Sequence, residues 1–414
     1  MKKYLIIISM VALAACNSDE ENPESNADSA SKFMAGTFGY DLNFLTQYHK
    51  DLVVLGDSTG VQIIIAPAYQ GRVMTSTAEG NKGISFGWVN HDLIASGKTT
   101  EHINAFGGEE RFWLGPEGGQ YSIYFKGKDS FGFAHWQVPA IIDTISYDVV
   151  KADAQSATFK KAATVTNYSG TVFNIEINRT INLLSPEAIA GELNTNIDPS
   201  LATVAYSTES SIKNTGSSTW KKESGLLSIW LLAMLTPSDQ TKVIIPFEPG
   251  KNAAKSITRD YFGSIPPERL TITDSFLVLN CDGKFRSKVG ISPQIAKPIA
   301  GSFDFEKNIL TITKFIVDKN GSYVNSKWEL QKNPYKGDAV NAYNDGPLAD
   351  GTQMGPFYEI ESSSPAKELK PGETQVYKQS TFHFEGDFAK LEALAQQILG
   401  VRLSDIKNGM IKSK

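Results

Sequence analysis

Cysteine is almost missing from this chain: Cys16 and Cys281 are the only two in 414 residues. That excludes a disulfide framework and a cysteine-built metal site. Histidine is scarce too. His49, His91, His102, His135 and His383 are scattered without H-x-H or H-E-x-x-H spacing, so no zinc site has local support and no cofactor is implied. Long apolar runs are lacking: residues 4–12 and 226–235 fall short of the roughly 20 residues that a membrane-spanning helix needs. Basic charge is not in excess either. With 40 Lys and Arg against 45 Asp and Glu, the net charge of −5 argues against nucleic acid as a partner. No internal repeat is visible.

The first 15 residues carry the clearest signal. Lys2 and Lys3 precede an apolar stretch, and Leu13-Ala14-Ala15 forms a small-residue cleavage site directly before Cys16, the pattern of a lipoprotein signal peptide. Cys16 is therefore expected to carry the lipid that anchors the chain to a membrane. Cleavage would leave 399 residues and, with Lys2 and Lys3 gone, a net charge of −7. Residues 16–32, rich in Asn, Ser, Ala and acids, have no apolar period and read as a disordered tether. The cluster Ser18-Asp19-Glu20-Glu21 resembles the surface-export signal of some Gram-negative lipoproteins. An outer-membrane location is expected, facing either the periplasm or the cell surface. With Cys16 lipidated, Cys281 has no intramolecular partner and reads as a buried, inert thiol.

Residues 33–414 are expected to form one large domain. At 41% hydrophobic and 10% aromatic, the chain can bury a sizeable core. Segments 61–66, 121–126, 158–166, 172–184, 243–247, 271–279, 310–317, 323–330 and 376–384 are β-branched and aromatic, many alternating with period two between turn residues, and predict strands. Residues 226–235 read as a strand buried on both faces. One helix is predicted, capped by Asp387, with Phe388, Leu391, Leu394, Ala395, Ile398 and Leu399 on one face and Gly400 at its end, covering a sheet edge. The fold class is all-β, a sandwich or barrel.

Common catalytic motifs fail on context. Gly56-Asp57-Ser58-Thr59-Gly60 matches G-x-S-x-G but joins two strand-like runs, which makes it a hairpin turn and not a nucleophile elbow. Gly97-Lys98-Thr99 lacks the first glycine of a phosphate loop, Asp92 standing in its place. Two other segments look like a site. Residues 106–120 pack Glu109, Glu110, Arg111 and Glu117 among paired glycines with Phe112 and Trp113; residues 343–373 place Asn344, Asp345, Glu359 and Glu361 among turn residues. Carboxylates, amides and an arginine beside flat rings suit a polyhydroxylated ligand such as a sugar. The same residues also fit structural turns with solvated charges around a buried Trp113.

The order of several pieces resembles the galactose mutarotase-like (aldose 1-epimerase-like) superfamily. The pieces are residues 64–78 with their Gly71-Arg72 turn, the Gly107-Gly108 segment, 131–139, 165–184, 212–238, and Glu361 before Pro365, and they span most of 40–385. The resemblance is to uncharacterised lipoproteins of that superfamily. It implies a large antiparallel β-supersandwich and a carbohydrate partner, with Glu361 as base. It also implies that Arg72, Arg111, Trp113, Trp136, Glu110, Asn344, Asp345 and Glu359 contact the sugar. Family mutarotases use a histidine acid, yet this chain has Phe106 before the paired glycines, and Asn167-Tyr168-Ser169 and Asn214-Thr215-Gly216 where that acid would stand. His102, His135 or Glu117 are the candidate substitutes. Three readings stay open: carbohydrate binding with sugar epimerase-type activity, a non-catalytic carbohydrate-binding module, and a structural cell-surface protein.

Overall fold

The computed structural model describes residues 33–251, 253–411 and 413. The signal peptide, Cys16 and the tether lie outside the described residues. The domain is all-β: a ten-stranded antiparallel sheet packs against a six-stranded one, and a third sheet of three strands flanks them. The ten-stranded sheet is built around the long strands Ser156–Thr166, Val172–Leu183, Ala202–Asn214 and Thr374–Glu385. The six-stranded sheet runs in the order Ile257–Thr258, Ser287–Ile291, Val340–Asn344, Tyr358–Ser363, Ser228–Leu232, Arg111–Gly115.

Period-two alternation makes the sandwich. Phe112, Leu114, Ile229, Leu231, Val289, Ile291, Val340, Ala342 and Ile360 turn inward and share one buried cluster with Phe159, Ile175, Ile177, Val204, Ile212 and Val243 of the larger sheet. Each fully buried aliphatic of this kind contributes about 1.5–3 kcal/mol. The helix Phe388–Leu399 forms as its capping residues predict: the Asp387 carboxylate accepts the Lys390 amide at 3.2 Å, and Gly400 ends it at φ +73°. It does not cover a sheet edge. Leu391, Leu394, Ala395 and Leu399 lie with Ile244, Val278, Phe303, Leu310, Ile312, Phe382 and Phe384 on the outer face of the ten-stranded sheet, so a broad apolar face, and not a line of open backbone groups, is what the helix buries. A helix at Phe38–Tyr48 was not predicted; it packs Phe38 and Leu45 on the three-stranded sheet.

Three predicted strands differ. Residues 121–126 turn back on themselves, with the Ser122 amide bonded to the Gly119 carbonyl at 3.0 Å. Ile123, Tyr124 and Phe125 are buried consecutively, so their apolarity reflects enclosure on all sides and not a strand face. Residues 323–330 also lack a ladder, since the Asn325 side chain accepts the Lys327 amide at 3.0 Å and bends the chain. The 271–279 segment is a hairpin of Leu270–Ile272 and Phe276–Asn280, turned by Thr273, whose hydroxyl oxygen accepts the Phe276 amide at 3.1 Å. The 56–60 turn is the expected hairpin, with the Asp57 carboxylate accepting the Thr59 amide at 2.8 Å, and Cys281 is fully buried.

Candidate functional site

The outward face of the six-stranded sheet gathers the charged residues. Across the strands Arg111 opposes Leu232, Leu232 opposes Glu361, and Glu361 opposes Asn341; one step along, Trp113 opposes Trp230, and Glu359 opposes Tyr343, which opposes Lys288. Directly opposed residues of an antiparallel pair share a face. The segments around residues 110 and 360 therefore meet on one wall, 248 residues apart in sequence at the Arg111–Glu359 ion pair.

Charge on this wall is closely managed. Arg111 and Glu359 are both buried, and the Arg111 guanidinium lies 4.9 Å from the Trp113 ring centroid. The Lys288 ammonium donates to Glu361 Oε2 at 2.8 Å and the Trp230 indole N–H donates to the same oxygen at 3.0 Å. Glu361 Oε1 and Trp113 Nε1 are buried with no partner. An unmatched buried acceptor costs about 1–3 kcal/mol, which makes it a place where a ligand donor gains most. Burial pushes the Glu359 carboxyl above the usual range, against the pull of Arg111. Burial likewise raises Glu117 to about 7, with Glu361 adding repulsion while Lys288, a hydrogen bond from Trp328 and Arg286 oppose it. Burial disfavours the Lys288 cation, but the Glu361 and Glu117 carboxylates outweigh that and hold it above its ordinary value.

Further polar groups stand beside these residues. Asp345 accepts the Tyr343 hydroxyl at 2.5 Å and the Gly355 amide at 3.1 Å. Tyr261 donates to Asp338 at 2.6 Å, and its ring lies 5.5 Å from Lys288 Nζ. Gly290 belongs to the same face because a Cβ there would stand 2.1 Å from Asp338 Oδ2.

The other expected residues sit elsewhere. Glu110 is enclosed between the sheets, bonded to Arg179 at 2.9 Å, Thr208 at 3.0 Å and Gln379 at 2.9 Å, so it is a structural carboxylate and not a sugar contact. Arg72 braces the Gly107 carbonyl at 2.8 Å and the Gln70 side chain at 3.1 Å. Asn344 points to the inner face and binds the Phe285 carbonyl at 2.9 Å and the Gly283 amide at 2.9 Å. These contacts replace the expected ligand roles of Arg72 and Asn344. Trp136 is buried in an aromatic stack, 5.5 Å from Trp328 and 6.1 Å from Tyr124. His102 bonds the Trp136 carbonyl at 2.7 Å, and His135 is half-exposed 3.9 Å from Asp129. Neither histidine is brought to the carboxylates, so the expected acid role loses its geometry there.

Sequence reasoning missed Lys288, Trp230, Tyr261 and Arg286. A cavity of about 390 Å³ lies elsewhere, between residues 139–145 and residues 161–166, with a lining that includes Ile123, Ile141 and Val165.

The family described as "Family of unknown function (DUF6786)" matches residues 36–410. The chain belongs to this family. No functionally curated sequence matches it. Among solved structures, this DUF6786 chain is similar to the Slr1438 protein from Synechocystis sp. PCC 6803, at 12% identity and a TM-score of 0.48 over 81% of this chain and 96% of that one. It is similar to a galactose mutarotase-like protein from Lactobacillus casei ATCC 334, at 11% identity and 0.46 over 80% and 99%. It is also similar to a galactose mutarotase related enzyme from Lactobacillus acidophilus, at 11% identity and 0.44 over 80% and 97%.

Proposed function

We propose that this DUF6786 protein binds carbohydrate on the outward wall of its six-stranded sheet and performs epimerase-type proton transfer there, at the end of a lipid tether on Cys16. The observation that carries the proposal is the Glu361 carboxylate, one oxygen held by Lys288 and Trp230 and the other buried without a partner. Moving the anomeric configuration of a sugar requires removal of the anomeric hydroxyl proton and protonation of the ring oxygen. Glu361 Oε1, buried without a partner, is the proposed acceptor of the first proton. Glu117, raised to about 7, retains a proton in a large share of molecules at neutral pH and is the group suited to give the second. Arg111, Asp345 and Glu359 supply polar contacts, and the Trp113 and Trp230 rings supply apolar ones for C–H faces.

The test is anomeric exchange of aldoses followed by NMR with the full chain, beside glycan-array binding. Glu361→Gln is expected to slow exchange by about 10²–10⁴-fold, the usual worth of a general acid or base, with glycan binding retained. Binding without exchange in the unaltered protein would establish the non-catalytic module instead, and neither binding nor exchange would sink the proposal. Fatty-acid labelling lost in Cys16→Ser is the expected result for the anchor at the outer membrane.

A further inference from the structure

We propose that the ligand of this wall is an anionic glycan, whose carboxylate or sulfate oxyanion is seated on the half-buried Arg286 beside it. The assignment rests on the carbohydrate reading above and names its substrate class. Three cations stand on or beside this wall, and two are already neutralised, Arg111 by Glu359 and Lys288 by Glu361. Arg286 is different. Among the described residues it has no ion-pair partner, and its Nε donates only to the Tyr343 hydroxyl oxygen at 3.3 Å.

That hydroxyl in turn donates to Asp345 at 2.5 Å, and Asp345 also accepts the Gly355 amide, so Asp345 is engaged by two donors and forms no ion pair with the guanidinium. Arg286 is half-buried, with its guanidinium carbon 3.9 Å from the centroid of Phe262, and Phe262 is itself 45% exposed. A guanidinium laid on a ring keeps its in-plane N–H groups pointing sideways, the fork that receives two oxygens of one oxyanion. Arg286 stands immediately before the strand Ser287–Ile291, two residues ahead of Lys288 and at most about 7 Å from it along the chain. A neutral sugar would leave this cation without an ion-pair partner. A uronate carboxylate or a sulfate ester would meet it directly.

The experiment is calorimetric titration of the full chain with three matched probes: galactotriose, trigalacturonate and a sulfated galactotriose. The two anionic probes are expected to bind about tenfold or more tighter than the neutral one, the gain expected of a charge-assisted hydrogen bond, and their advantage should shrink at high salt. Arg286→Met is expected to remove the preference while leaving neutral binding in place, and Arg286→Lys to restore part of it. Which anionic probe gains more separates carboxylate from sulfate. Equal binding of neutral and anionic probes, or a preference that survives Arg286→Met in a protein of unchanged melting temperature, overturns the anion assignment but leaves the carbohydrate reading standing. Silence of all three probes overturns both.

Discussion

Glu110 and Arg111 are consecutive, yet they belong to two regions that treat charge in opposite ways. Between the sheets, the Glu110 carboxylate takes three donors, and its neighbour Glu109 takes Ser76 at 2.8 Å and His383 at 2.8 Å. On the outer wall, Glu361 keeps an oxygen and Trp113 an indole N–H without partners. The inner carboxylates are spent on holding the sheets together, whereas the outer ones retain unused capacity. Even the inner pair is not fully matched: Arg179 Nε and Nη1 have no partners, and the guanidinium faces the Phe112 ring at 5.4 Å. The contrast therefore lies in the acceptors.

Breaking the inner pair should produce the largest effect. Arg179→Met leaves Glu110 buried without its cation and is expected to cost about 3–5 kcal/mol in urea unfolding. Adding Glu110→Gln should recover much of that loss. A cost under about 1 kcal/mol would erase the distinction between the regions. The next effect tests the loop that separates them. Gly108 adopts φ +115°, and a Cβ there would meet Arg72 Cδ at 2.5 Å, so Gly108→Ala is expected to destabilise by about 1–3 kcal/mol, read as a lower melting temperature.

A smaller effect concerns pH on the outer wall. Folded Glu117 keeps its proton up to about 7, while the unfolded chain releases it nearer 4.5, so the native state binds more protons across that window. Stability should then fall as pH rises from 4.5 to 7 and level off above it. Glu117→Gln should flatten this decline in a series of melting curves; an unchanged slope would show that burial does not hold the proton there.

The strands were legible because one face of each is buried, as in residues 172–183 where Phe173, Ile175, Ile177 and Ile181 alternate with polar residues. The Asp387 cap and Gly400 likewise announced the final helix. Arg111, Trp113, Glu359 and Glu361 could be singled out because carboxylates and an arginine stood among glycines and aromatics. Trp230 could not, since Ser228–Leu232 is apolar on both faces and shows no alternation to separate wall from core. Lys288 belongs to a strand too short to show a period, and Arg286 lies just before it. Glu110 and Arg72 were misplaced for a related reason: polarity reveals that a side chain needs partners, but whether protein or ligand supplies them is a property of tertiary contact.

The strand Tyr358–Ser363 has a practical consequence for altering this protein. Its even-numbered members, Tyr358, Ile360 and Ser362, lock into the opposite sheet, while Glu359 and Glu361 look outward. Deleting a single residue upstream of 358 would therefore exchange the two sets, carrying both carboxylates to the sheet interface and tyrosine and isoleucine to the wall. Specificity here is closed to changes in length.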